Sequence, residues 1–122
     1  MNDPVGQAAD RLFQLRRLQN LASIRVEGRR WFQRSAGNTY CAADVFITFT
    51  DGTEAVIYVP VQYGYGDFYL QAATDALERA GYMPDREHAA NGSAEPAWRY
   101  FRDDRGIPFR YRAVDVARQK DL

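Results

Sequence analysis

At 122 residues, with 46% hydrophobic and 26% charged, the chain has the make-up of a single domain able to bury a core without staples. Its one cysteine, Cys41, excludes an intrachain disulfide, and no apolar run approaches the length of a membrane span. Sixteen basic and sixteen acidic residues cancel, which excludes a wholly basic nucleic-acid footprint.

The charge is unevenly spread along the chain. Residues 1–36 hold seven Arg against three acids (+4), residues 37–96 two Arg against nine acids (−7), and residues 97–122 seven bases against four acids (+3). Basic ends and an acidic middle attract one another in a compact fold, and they also give a two-signed surface that steers charged partners. Asp3 and Asp10 interrupt the basic-then-apolar order of a secretion signal, so a cytoplasmic protein is expected.

In chain order, Val5, Ala8, Leu12, Leu15 and Leu18 form one apolar stripe, which predicts a helix over 5–21. Such a helix covers its own sheet more readily than a partner. Residues 24–33 read as a first strand, with Gly28 expected to mark a bulge. Residues 35–38 read as a turn. Cys41, Ala43, Val45, Ile47 and Phe49 alternate on the inward face of a second strand; Ala55, Ile57, Val59 and Val61 do so on a third. A two-residue Asp51-Gly52 loop would turn these apolar faces opposite ways. A three-residue loop, Thr50-Asp51-Gly52, pairs Phe49 with Thr53 and Ile47 with Ala55, and is predicted for that reason.

After Tyr63-Gly64-Tyr65-Gly66, Asp67 is expected to N-cap a helix whose buried stripe is Tyr69, Ala73, Ala76, Leu77 and Ala80. Gly81 supplies a left-handed stop and Pro84 forbids continuation. A loop, a short helix holding Trp98 and Phe101, and a strand ending near Val116 complete the chain. The reading is a single α+β domain: segment 1–22 with the N-terminal helix, a core over 23–116 and a tail over 117–122. Its expected architecture is a three-stranded antiparallel sheet with a helix packed on one face, then the short helix and last strand.

Chemistry is sparsely encoded. Cys41 and His88 have no companions at metal-ligand spacing, so neither a metal nor a cofactor is expected. A Cys–His nucleophile would need these two to meet, and Cys41 is expected in the core. Gly64-Tyr65-Gly66-Asp67 lacks the length and lysine of a phosphate-binding loop. The chain is therefore expected not to be an enzyme. The best surface candidates are Trp31, Tyr63 and Tyr65 beside Arg29, Arg30 and Arg34, with one of the two tyrosines exposed. A second candidate is the acidic set Asp75, Glu78, Asp85 and Glu87, suited to a basic partner.

Two resemblances attach to these residues. Helix, three strands and the helix end Ala72-Ala73-Thr74-Asp75-Ala76-Leu77-Glu78-Arg79-Ala80-Gly81 resemble double-stranded-RNA-binding domains. That resemblance implies a nucleic-acid module using Arg29, Arg30, Arg34, Arg110 and Arg112. The family's lysine cluster is replaced here by Asp67, Phe68, Tyr69 and Leu70, which ranks this reading second. Arg30-Trp31-Phe32, Gly37-Asn38-Thr39-Tyr40 and Tyr63-Gly64-Tyr65-Gly66-Asp67 resemble motifs of small, mostly uncharacterised proteins of tailed phages and prophages. This second resemblance spans about residues 23–82. It implies a phage or mobile-element accessory protein in the cytoplasm of an infected or lysogenic bacterium. Its partner would be a host protein or complex, inhibited in the manner of an anti-CRISPR. The oligomeric state stays open, a homodimer included.

Overall fold

The computed structural model describes residues 20–84 and 97–122. They form β1 (Leu21–Gln33), β2 (Asn38–Phe49), β3 (Glu54–Tyr63) and helix α1 (Phe68–Arg79). There follow a short helix α2 (Ala97–Arg99) widening into a π turn (Tyr100–Asp104), β4 (Phe109–Val116) and a 3-10 turn (Gln119–Asp121). Most of the expected N-terminal helix lies outside the described residues. Its C-terminal end is nonetheless misplaced, because Leu21 is already a buried strand residue.

The expected three-stranded antiparallel sheet is overturned. The sheet has four strands in the order β3-β2-β1-β4 and is mixed: β4 pairs parallel with β1 from Ile24–Phe109 to Trp31–Val116. Chain direction explains this. α1 carries the chain from the end of β3 back to Phe49, where the Tyr82 and Phe49 rings lie 6.4 Å apart. Phe49 pairs with Leu21 at the start of β1, so a strand entering from that end runs alongside β1.

The β2–β3 turn follows the register argument. Ile47 pairs with Ala55, the Phe49 N–H donates to the Thr53 carbonyl (2.9 Å), and Gly52 sits at φ +86°. A one-residue slip would have turned an apolar face to water. Asp51 locks the turn by accepting from the Thr53 N–H (2.9 Å) and Oγ1 (2.6 Å).

Four local expectations need correction. β1 runs unbroken past Gly28, and its irregularity lies between Leu21 and Ser23. Val61 faces outward, 51% exposed, because an extra β3 residue between Val59 and Gln62 flips the alternation; Gln62, opposite Cys41, takes its place. Pro60 sits in that bulge, where its missing N–H is tolerated. Asp67 makes no side-chain cap bond; the Phe68 N–H donates instead to the Tyr65 carbonyl (3.1 Å). The buried stripe of α1 is Tyr69, Ala72, Ala73, Thr74 and Leu77, with Ala80 exposed beyond the last turn. Thr74 satisfies its hydroxyl by donating to the Leu70 carbonyl (2.7 Å).

The helix stop is as expected. With Gly81 at φ +86°, the Gly81 N–H reaches Glu78 O (3.0 Å) and the Tyr82 N–H reaches Leu77 O (2.9 Å), a Schellman pair. All helical cover among the described residues lies on one face of the sheet. The α1 stripe packs with Val26, Ala43 and Val45, and Phe101 stacks on Phe109 at 5.8 Å with rings 7° apart. The parallel pairing of β4 with β1 also converts the uneven charge of the sequence into geometry. The described basic segments lie side by side on β1 and β4, and the described part of the acidic middle occupies β2, β3 and α1.

Candidate functional site

The face opposite the helices is uncovered among the described residues. Alternation and register assign its side chains: Arg25, Glu27, Arg29 and Trp31 from β1; Tyr40, Asp44 and Phe46 from β2; Val56 and Tyr58 from β3; Arg110, Arg112 and Val114 from β4. Its middle is a lattice of paired charges. Arg29 holds Asp44 through both nitrogens (2.9 and 3.5 Å), and Arg112 Nε donates to Glu27 (2.6 Å). Arg25 lies 4.4 Å over the Phe46 ring and 3.6 Å from Glu27.

Toward the end where β1, β3 and β4 terminate, the charge lattice gives way to rings. Trp31 faces Tyr40, and Tyr40 faces Tyr63, as direct cross-strand partners. The first pair stacks at 5.9 Å and 28°, the second meets edge-on at 6.0 Å and 83°. Both are favoured aromatic geometries, and together they make one rigid row across three strands. Tyr63 is 59% exposed and Tyr65, on the corner beyond it, 74%. Both tyrosines are therefore open, where only one was expected. The corner is fixed from beneath: Gly64 is buried, its N–H donates to Thr39 O (3.0 Å), and Phe68 fills the space a side chain would take.

Around the row lie two shallow clefts. One, of about 730 Å³, is lined by Arg30, Trp31, Phe32, Arg34, Thr39 and Val116 among others. The second, of about 590 Å³, is formed by Tyr63, Tyr65, Phe68 and Gln71 with the corner backbone. The predicted contact residues thus lie toward one end of the sheet but on both of its faces, Arg30 on the helix side, and in unequal states. Arg29 is spent on Asp44. Arg30 is a tie: its Nε holds Asp115 of β4 (2.9 Å) and its Nη1 donates to Gly66 O (3.1 Å). Arg34 is exposed and pairs with no carboxylate among the described residues. Tyr40 and Phe32 were missed as site residues; Tyr40 follows only once the hairpin register pairs it with Trp31.

Of the acidic candidates, Asp75 and Glu78 are half-buried and engaged within the fold. Asp85, Glu87 and His88 lie outside the described residues. No group of three His, Cys, Asp or Glu suited to a metal occurs among those described, and no helix there is long and apolar enough to cross a membrane.

Cys41 is buried, and burial pushes its thiol above the usual 9.0. Burial, aided by the charge of Asp67, likewise raises the Tyr69 phenol above 10.0. Both groups keep their protons in the fold at pH values where the unfolded chain releases them. Their contribution to stability is complete below about pH 9 and is lost as pH rises through the folded values. The expected result is a urea midpoint that declines above about pH 9, and a Cys41 that reacts slowly with a thiol reagent at about pH 8 until urea unfolds the chain. Immediate labelling of the native protein would contradict the burial.

No protein-family model, curated protein or solved structure matches this chain.

Proposed function

We propose that this chain is a non-enzymatic binding protein that grips a protein partner with the aromatic end of its open sheet face. The observation that supports this is the continuous Trp31–Tyr40–Tyr63 row, extended by Tyr65 and bordered by the exposed Arg34. Aromatic and arginine side chains supply most of the energy in protein interfaces, and a row already fixed by cross-strand packing loses little entropy on binding. The motif resemblance supplies the partner class: a host protein or complex met by a phage or mobile-element accessory factor in the bacterial cytoplasm, a defence complex being the case we favour. A nucleic-acid module ranks second, because Arg29, Arg30 and Arg112 of its five arginines already hold carboxylates.

Immobilised protein is expected to retain a specific host protein from bacterial lysate, with Tyr63→Ala weakening the purified pair at least about tenfold. Because Tyr63 is largely exposed, its unfolding midpoint is expected to stay close to that of the parent. Arg34→Ala is expected to act in the same direction, and Arg79→Ala, on α1, to change nothing. If the protein instead binds duplex RNA with an affinity that collapses as salt rises, the nucleic-acid reading replaces this one.

A further inference from the structure

The two edges of the sheet are built differently. The β3 edge carries the bulge with Pro60, which blunts it against strand addition. The β4 edge has neither bulge nor proline over its eight residues. Its hydrogen-bonding pattern can be read from one contact. The Ile24 N–H donates to Pro108 O (3.0 Å) while Ile24 faces Phe109. In a parallel ladder this turns the backbone groups of Arg110, Arg112 and Val114 toward β1, and those of Phe109, Tyr111, Ala113 and Asp115 outward. The Arg102 guanidinium takes the first outward carbonyl, that of Phe109 (Nε, 2.8 Å). Along residues 111–115 the outward groups meet no partner among the described residues.

Charge narrows what fits there. Arg110 and Arg112 project from this edge onto the open face, with Arg25 one strand further in. Arg110 pairs with no carboxylate among the described residues, and Arg112 shares Glu27 with Arg25. A second copy adding through its own β4 would place another Arg110 and Arg112 on the same face beside the first, and like charges crowded on neighbouring strands destabilise their pairing. An acidic strand meets the opposite situation, with main-chain bonds supplying affinity and the arginines selecting sign.

We propose that the outer edge of β4 is a docking site for an extended acidic segment of a partner protein, which adds as a fifth strand along residues 111–115. The site is distinct from the Trp31–Tyr40–Tyr63 row, and only its last residue, Asp115, borders the cleft beside Trp31. A fluorescein-labelled peptide of about nine residues alternating Glu with Val, and its counterpart with Lys for Glu, provide the probes. With the whole chain, the acidic peptide is expected to bind at least about tenfold more tightly than the basic one. Hydrogen exchange is expected to slow at the Tyr111, Ala113 and Asp115 amides. Arg110→Glu, on an exposed side chain, is expected to remove most of the preference, and Tyr63→Ala to leave it unchanged. The proposal is overturned by equal binding of the two peptides, by binding of neither, or by slowed exchange along β3 instead. Sedimentation as a dimer, with those three amides protected before any peptide is added, would assign the edge to a second copy and likewise overturn it.

Discussion

Gly28→Ala is expected to lower the stability of this protein by about 3 kcal/mol, seen as a large fall in the urea midpoint at unchanged slope. Gly28 lies mid-strand in β1, facing the helices, with Ala43 on one side and Ala113 on the other. A Cβ there would sit 2.7 Å from Tyr69 Cγ and 2.8 Å from its Cε2. The ring is 3% exposed and cannot swing aside without emptying its place in the core. Glycine is a poor strand former, so the position sacrifices local propensity to let the first turn of α1 approach the sheet. The paired change Gly28→Ala with Tyr69→Ala checks the cause. If the ring is the obstacle, the two losses sum to more than the double variant shows. Strict additivity would mean that the cost of the Gly28 substitution lies elsewhere.

Phe101→Ala is expected to cost about 4 kcal/mol and to loosen β4 first. Phe101 is fully buried, stacks on Phe109 and meets Tyr100 edge-on at 5.0 Å. Its carbonyl accepts the Ile107 N–H at 2.7 Å, so one residue anchors both the side chains and the backbone that lead into the last strand. Truncation leaves a cavity between the π turn and β4, whose outer edge has no neighbouring strand among the described residues. Hydrogen exchange would show the order of loss: amides of β4 should exchange much faster, while those paired between β1 and β2 keep most of their protection. Uniform acceleration across the sheet would mean that β4 does not open by itself.

What was legible along the chain was whatever neighbouring residues decide. The Thr50-Asp51-Gly52 loop followed from parity alone, since only one loop length points Val45, Ile47 and Phe49 to the same side as Ala55, Ile57 and Val59. The Gly81 stop followed from the glycine and the proline after it. Most failures came where two distant segments had to agree. Parity along β3 puts Val61 inward, and the bulge that turns it outward appears only when β3 is laid against β2. Asp67 was assigned a cap because its type and place suit one, yet the Tyr65 carbonyl serves the first helical N–H instead. Gly28 stands out as a glycine inside a strand, and what needs the missing side chain is the Tyr69 ring, not a bulge.

The candidate site divides in the same way. Trp31, Tyr63, Tyr65 and Arg34 stand out in the sequence as aromatics and a cation near glycine turns, but parity predicts only one of the two tyrosines to be exposed, and both are. That they form a row had to await Tyr40, whose role depends on the pairing of β1 with β2 and of β2 with β3. Arg29 and Arg30 looked like free contact residues, because Asp44 and Asp115 are distant in sequence and adjacent only in the sheet.

By itself, the sequence determined that helix and strand are mixed, the faces of β2 and of β3 as far as Val59, the β2–β3 turn and the limits of α1, because these depend on alternation, turn chemistry and backbone freedom within a few residues. Only the tertiary structure decided that β4 lies parallel to β1 as the fourth strand. That choice depends on where α1 returns the chain and on the core that Phe101 and Phe109 complete between them. It brings the two basic segments together at one edge and, among the described residues, leaves the aromatic row uncovered on the far face and the outward backbone of residues 111–115 without a neighbouring strand.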